Sequence, residues 1–155
     1  MEKNYPLQSG FTVIELLVVM GIIAVLAGIV LIALNPARHF AQARNTQRTS
    51  NVAAILDAIS QNAVDNNGVF TCATGPLPTT PATIKSDTGG QNIAACLAPN
   101  YLSALPFDPS VSGAHYASPQ DYDTGYQVVR DAATGRITVS APSTELGGNA
   151  ISITR

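Results

Sequence analysis

The chain has 155 residues, a formal net charge of −2 and only 12% charged residues. This length suits one globular domain with an appendage, and the small net charge gives the chain as a whole no strong attraction to nucleic acid or anionic surfaces. The charge is uneven, however: residues 36–50 carry three arginines and no acid, whereas residues 51–155 carry four basic and eight acidic side chains. We therefore expect a mildly acidic globular part behind a short basic neck, residues 36–50.

Residues 11–34 form an apolar run in which Glu15 is the only ionisable side chain. As a helix, this run would be about 36 Å long, enough to cross the hydrocarbon core of a bilayer with some tilt. A secretory signal peptide has a shorter apolar core, of about 7–15 residues, and a cleavage site of small residues. Here Leu34-Asn35-Pro36 follows instead. The run predicts a membrane-spanning helix.

The carboxylate of Glu15 is unusual in such a run. A charged side chain at the centre of a membrane costs about 2.5–3.5 kcal/mol, so it is a functional candidate, although one near the end of a span can also reach the interface. The residues around it read as a short polar leader ending in Gly10, then Phe11-Thr12-Val13-Ile14-Glu15, then the apolar run. This pattern resembles the class III signal of type IV pilins and type II secretion pseudopilins.

The resemblance implies that residues 1–10 are a leader, cleaved between Gly10 and Phe11 by a prepilin peptidase that also N-methylates Phe11. Glu15 would then be an assembly residue that pairs with the mature amine of Phe11 on a neighbouring subunit, because the pairing relieves two desolvation costs together. The implied partners are identical or related pilin subunits in a helical filament, the prepilin peptidase/methyltransferase, the membrane and the inner-membrane assembly machinery.

The family topology implies a single-pass protein of the inner (cytoplasmic) membrane, with its C-terminal domain extracytoplasmic and the filament in the periplasm or at the cell surface. The flanking charges oppose this topology. Lys3, offset by Glu2, precedes the run, whereas Arg38, Arg44 and Arg48 follow it. The positive-inside rule alone would place the domain in the cytoplasm. The prediction follows the family topology and leaves the reversed charge bias unexplained.

The arginines of the basic neck have three interpretations. They form a solvated or headgroup-facing surface, they make salt bridges to acids of neighbouring subunits, or they contact DNA along a filament. Three arginines do not establish nucleic-acid binding, and nucleic acid is not indicated as a partner.

Residues 35–67 are expected to continue the apolar helix as an amphipathic second half, giving one helix of about 56 residues, or roughly 84 Å. Apolar side chains recur on one face at helical spacing: Val52, Ile55, Leu56, Ile59 and Ala63. Asn66-Asn67-Gly68 is a stop signal. Two interpretations compete: Gly21 and Gly28, one heptad apart, are contact points between packed helices, or the stretch from Gly28 to Pro36 is where the helix loosens.

Residues 68–155 are expected to form a globular loop and β-sheet domain. The Thr-, Pro- and Gly-rich residues 71–92 are interpreted as loop, and a short helix is predicted around 92–97. The segments "GYQVVR" and "RITVSA" predict a hairpin with Gly135 in its turn, and "NAISITR" predicts a third strand. The fold class is α+β and pilin-like: one long N-terminal helix packed on a small antiparallel β-sheet.

Cys72 and Cys96 suit a disulfide if the domain leaves the cytoplasm, with two free buried thiols as the alternative. For calcium, the weak candidates are Asp108, Asp121 and Asp123, with Glu145 downstream. Their spacing is not that of an EF-hand loop, so no metal is assigned and no cofactor is expected.

The sequence predicts no enzyme. It has no Gly-x-Ser-x-Gly elbow, no Walker loop, and no Cys or acid at metal-ligand spacing from His39 or His115. The expected function is therefore that of a structural filament subunit, in type II protein secretion (a pseudopilus) or as a type IV pilin. "LPFDP", residues 105–109, favours the major pseudopilin and the cysteines favour pilins. The alternative is a single-span membrane protein that displays a small extracytoplasmic binding domain.

Overall fold

The computed structural model describes residues 10–155, with the backbone alone at 31–34. Of the expected leader, residues 1–9 lie outside the described residues. The chain divides into two compact units between His39 and Phe40.

The apolar run forms helix α1, Val13–Leu34. Its side chains from residue 11 to residue 30 are exposed. Among the described residues it is the one helix long and apolar enough to cross a membrane, with a mean hydropathy of 2.9 over Val13–Val30. An apolar helix without buried side chains needs a lipid or protein environment, because nothing within its own unit covers it.

The helix stops at Asn35, so the prediction of one uninterrupted helix from residue 11 to the Asn66 stop is wrong at this residue. Asn35 has left-handed backbone angles, φ 38° and ψ 72°. The ring of Pro36 disfavours helical angles in the residue before it, and Asn tolerates the left-handed region better than most residues. Helix α2 then begins at Pro36, which is favourable at a first helical position because its missing N–H is not needed there.

Helix α2 runs over Pro36–Asp65 and ends where the sequence predicts. Asn67 and Gly68 follow with positive φ values of 59° and 87°, the left-handed conformations that commonly end helices. The predicted apolar stripe is confirmed, because four of its five members are fully buried: Val52, Ile55, Leu56 and Ile59. Ala63 is half-buried.

The second unit contains a five-stranded antiparallel sheet. Its strands are β1 (Ala82–Lys85), β2 (His115–Ser118), β3 (Asp121–Arg130), β4 (Ile137–Ala141) and β5 (Ile151–Thr154). They follow the order β1-β3-β4-β5, with β2 also paired to β3. The predicted hairpin and third strand are confirmed as β3, β4 and β5, with Val128 opposite Val139 and Val139 opposite Ile153. A short helix, α3 (Ala94–Leu97), confirms the helix expected around 92–97.

The interpretation of residues 71–92 as loop is wrong at β1. This four-residue strand buries one side chain, Ile84, so it has no alternating pattern long enough to be read. It exists because Ala82 and Thr83 pair with the long strand β3.

Strand β3 organises the sheet and the core. Its inward side chains alternate with outward ones, and Tyr122, Tyr126 and Val128 are essentially fully buried. They join the buried face of α2 in one hydrophobic cluster. The unit thus places a long helix on a small antiparallel sheet. The fold is α+β and pilin-like, as predicted.

Candidate functional site: the N-terminal motif and the arginine cluster

The first candidate site is the start of α1, where Thr12 and Glu15 form a capping box. The backbone N–H of Glu15 donates to Thr12 Oγ1 at 3.2 Å, and the backbone N–H and hydroxyl of Thr12 both donate to Glu15 Oε2 at 3.2 Å. These bonds satisfy backbone donors that a helix start otherwise leaves without partners.

Sequence reasoning missed this role of Glu15. The signal was available, because Thr-x-x-Glu before an apolar run is the capping-box pattern. Gly10 and Phe11 precede the helix, and both are exposed. The junction between them therefore lies in non-helical, accessible chain just before the cap.

The second candidate site is a group of charged and polar side chains, here called the arginine cluster. Its members come from α2 and from two loops of the same unit: Arg44, Asn45, Arg48, Asp108, Ser110 and Glu145. At its centre, Arg48 donates from Nε to Asp108 Oδ2 at 2.7 Å and from Nη2 to Asp108 Oδ1 at 3.0 Å. Both side chains are closed to solvent.

Glu145 completes the cluster from the loop between β4 and β5. Its carboxylate accepts two bonds from Arg44, at 2.7 and 2.5 Å, and a third from Arg48 Nη1 at 3.1 Å. The side-chain amide of Asn45 bonds both backbone polar groups of Glu145. Its Nδ2 donates to the Glu145 carbonyl at 3.0 Å, and its Oδ1 accepts from the Glu145 N–H at 3.1 Å. The C-terminal loop is therefore fastened to the first half of α2.

Strand β3 positions Asp108. The backbone N–H of Asp108 donates to the carbonyl of Thr124 at 2.9 Å, between the residues of β3 that pair with β2 and those that pair with β4. The next residue, Gly125, has a φ of +70°, and a Cβ there would lie 3.2 Å from Asp108 Cβ. Glycine thus lets the loop of Asp108 approach the strand closely.

The cluster holds its acids in their charged forms. Hydrogen bonding from Arg44 lowers the pKa of Glu145 from 4.5 to about 2. Burial raises the pKa of Asp108, but the hydrogen bonds from Arg48 and from the backbone of Ser110 outweigh it, and the net shift is downward. The hydrogen bond to Asp108 raises the pKa of Arg48 in turn.

These contacts correct the expectations for the basic neck. Arg48 is not a solvated side chain and does not reach another subunit, because it is buried against Asp108 of its own chain. Arg44 is half-buried and paired with Glu145. Of the three arginines, Arg38 alone is exposed.

The calcium candidates are not assembled into one site. Asp108 is bound to Arg48, Asp121 accepts from His115 Nε2 at 3.1 Å, and Asp123 accepts from the N–H of Gly125 at 2.8 Å. Within residues 10–155, no group of three or more His, Cys, Asp or Glu side chains is arranged to hold a metal ion.

Cys72 and Cys96 are joined in a disulfide, with their Cα atoms 5.5 Å apart. The bridge ties the segment after α2 to α3. In the chain-entropy description, closing a loop of this size stabilises the fold by about 3–4 kcal/mol. Such bonds persist in oxidising compartments.

Residues 6–31 match the family described as the prokaryotic N-terminal methylation motif. The chain carries a class III signal. This match covers the leader end, the Gly10–Phe11 junction, the Thr12–Glu15 capping box and most of α1, and it confirms the resemblance to type IV pilins and pseudopilins in that segment. Comparison with curated proteins and comparison with solved structures each gave no match.

The class III signal supports a pilin- or pseudopilin-type precursor. It implies processing by a prepilin peptidase and, together with the exposed apolar helix, membrane anchoring of the precursor. The proteins that carry this signal as filament subunits are structural, not enzymatic.

Proposed function

We propose that the chain is a structural subunit of a type IV pilus-like filament, cleaved after Gly10 and N-methylated at Phe11. The observation that carries the proposal is the class III signal on an apolar helix whose described side chains, at residues 13–30, are exposed. The apolar side chains of such a helix are covered by lipid before assembly and by the same helix of neighbouring subunits afterwards. In this proposal residues 1–10 are the leader, 11–34 the membrane and filament-core helix, 35–67 its amphipathic continuation and 68–155 the exposed domain.

Glu15 is the assembly residue in this proposal. Its capping partner Thr12 is neutral and supplies no counter-charge to the carboxylate. The methylated amine of Phe11 on a neighbouring subunit would supply that cation in the same layer. No metal or other cofactor is part of the proposal.

The filament serves either type II protein secretion or a type IV pilus. "LPFDP" at residues 105–109 supports a major pseudopilin, and the disulfide supports a pilin. The compact sheet supports the pseudopilin as well. Deletion of the gene separates the two roles: loss of secreted enzymes from the medium with surface filaments intact assigns the pseudopilus, and the converse assigns the pilus.

The test of the proposal is intact mass spectrometry, with N-terminal sequencing, on protein from native membranes. We expect a chain that begins at Phe11 and is heavier by one methyl group. A Gly10→Leu variant should stay uncleaved, whereas Ser9→Ala should be processed. A wild-type chain that still begins at Met1, in cells with an active prepilin peptidase, would favour the alternative of a single-span membrane protein that displays a small extracytoplasmic domain.

A further inference from the structure

The loop after Glu145 exposes a large apolar side chain from a strained backbone. Leu146 has a φ of +66°, and its side chain is 54% exposed. A bulky residue rarely adopts this region, and strain of this kind persists where the surrounding structure enforces it. The next two residues are Gly147 and Gly148. Gly147 also has a positive φ, of 67°, but Leu146 is the bulky residue of this turn and it faces solvent.

Its neighbour Glu145 holds Leu146 beside the first half of α2. Both backbone polar groups of Glu145 are bonded to Asn45, and its carboxylate is bonded to Arg44 and Arg48. These bonds leave the loop little freedom to fold the leucine inward. The bonds of the arginine cluster therefore keep Leu146 exposed.

A second exposed apolar side chain lies beside the same ion pair. Phe40 is 64% exposed and precedes Arg44 by four residues on α2, so the two side chains are neighbours on one helix face. Each residue is thus next to one partner of the Arg44–Glu145 pair, Phe40 to Arg44 along α2 and Leu146 to Glu145 along the chain. They are named the Phe40–Leu146 patch below.

The chain's connectivity indicates what covers this patch. Phe40 lies six residues after Leu34, the end of the apolar helix α1, so even a fully extended chain keeps it within about 20 Å of that end. Exposed Arg38 lies between them. Bulky apolar side chains with an adjacent cation are typical of protein surfaces that rest at the boundary of headgroups and acyl chains.

We propose that the Phe40–Leu146 patch is a lipid-binding surface, which rests on the membrane while the subunit is anchored there by α1. Leu146 and Phe40 enter the headgroup–acyl boundary. The proposal requires only that α1 spans a membrane, so it holds whether or not the chain forms filaments.

The chain contains no tryptophan, so one substitution gives a unique fluorescent reporter. We would reconstitute full-length Leu146→Trp at low protein-to-lipid ratio in phosphatidylcholine–phosphatidylglycerol vesicles with bromine on the upper acyl chains. Insertion of about 5–10 Å into the boundary brings the indole to the bromines, and its emission should fall several-fold relative to unbrominated vesicles. Val69→Trp is the matched control: Val69 is also apolar and 64% exposed but follows the far end of α2, and its emission should be unchanged.

Two further measurements separate the outcomes. A reporter placed by Phe40→Trp should lose part of its quenching when Leu146→Gly is added, since glycine removes the apolar contact and suits the left-handed backbone. Near-UV circular dichroism confirms that each variant is folded. Equal quenching of Leu146→Trp and Val69→Trp by brominated lipid, each relative to unbrominated vesicles, would overturn the proposal. So would burial of the reporter that develops only as protein concentration rises, because a second copy would then cover the patch.

Discussion

Arg48 and Asp108 form a two-point ion pair that is closed to solvent, with Nε–Oδ2 and Nη2–Oδ1 distances of 2.7 and 3.0 Å. One partner lies on α2, and the other lies in the loop that passes β3 at Gly125. Because neither side chain is exposed, each needs the other. The pair joins the helix to the sheet by charge, in addition to the hydrophobic cluster.

Replacing Arg48 by Met should destabilise the second unit by about 3–5 kcal/mol, because the carboxylate of Asp108 would be left buried without a counter-charge. Thermal unfolding of the full chain in detergent, followed by near-UV circular dichroism, measures the loss. The exposed Arg38→Met is the matched control and should change stability by less than about 0.5 kcal/mol.

The double variant Arg48→Met/Asp108→Asn tests the cause. It removes both charges but keeps an oxygen acceptor for the N–H groups of Ser110 and Val111, which Asp108 Oδ1 now accepts. Much of the lost stability should return. If the double variant is less stable than Arg48→Met, the buried charge is not the source of the loss.

Acid should weaken the fold through the arginine cluster. The pKa of Glu145 is lowered from 4.5 to about 2, and that of Asp108 is also lowered. A group whose folded pKa is depressed contributes stability that is present above its unfolded pKa and is lost as pH falls towards the folded pKa. We therefore expect the melting temperature to fall between about pH 4.5 and pH 2.

The control for this prediction is Glu145→Gln. It should be less stable than wild type at neutral pH and should show a shallower fall below pH 4.5. Parallel curves for the two proteins would assign the acid sensitivity to other carboxylates.

Gly125→Ala should destabilise the fold by about 1–3 kcal/mol. The substitution puts a Cβ on a residue with a φ of +70° and places it 3.2 Å from Asp108 Cβ. Gly135→Ala is the matched control, because Gly135 has a φ of +73° but the nearest atom to its added Cβ is a flexible Arg130 nitrogen at 3.7 Å. The excess loss at Gly125, from unfolding curves of both variants, measures the crowding at Asp108. Equal losses of stability in the two variants would mean that the positive φ alone, and not the contact with Asp108, destabilises Gly125→Ala.

Glu15→Gln separates the cap from the charge. Glutamine also serves in a capping box, so this variant should keep the start of α1 and should insert and be processed normally, yet it should not form filaments. Glu15→Ala should still insert in the membrane, but it should lose the Glu15 half of the capping box and should also not form filaments. Sedimentation and electron microscopy of sheared filaments give the readout. Wild-type filaments from Glu15→Gln would mean that Glu15 serves the cap and not assembly.

Features with local causes were predictable from the sequence. The apolar length of α1, the stripe led by Val52 and the Asn67-Gly68 stop each depend on neighbouring residues. The hairpin of β3 and β4 could be read because Gly135 sits between two alternating segments. Asn35 is a partial exception. Pro36 predicts that the helix breaks near this residue, but the sequence does not predict the left-handed backbone angles of Asn35.

The arginine cluster could not be read in this way. Arg48 and Asp108 are 60 residues apart, and Arg44 and Glu145 are 101 apart. From the sequence alone, arginines that follow a membrane span are interpreted as solvated, because the acids that pair with them are brought close only by folding. The strand β1 was missed for a related reason: only its pairing with β3 makes it a strand.

The order of synthesis gives the cluster a further consequence. Arg44 and Arg48 emerge long before Asp108 and Glu145, so both are uncompensated cations while the chain is being inserted and the later residues are still unmade. Neutralisation is completed only when the last loop arrives. The insertion machinery therefore meets three uncompensated arginines after α1, whereas in the folded subunit Arg44 and Arg48 are paired with acids of their own chain.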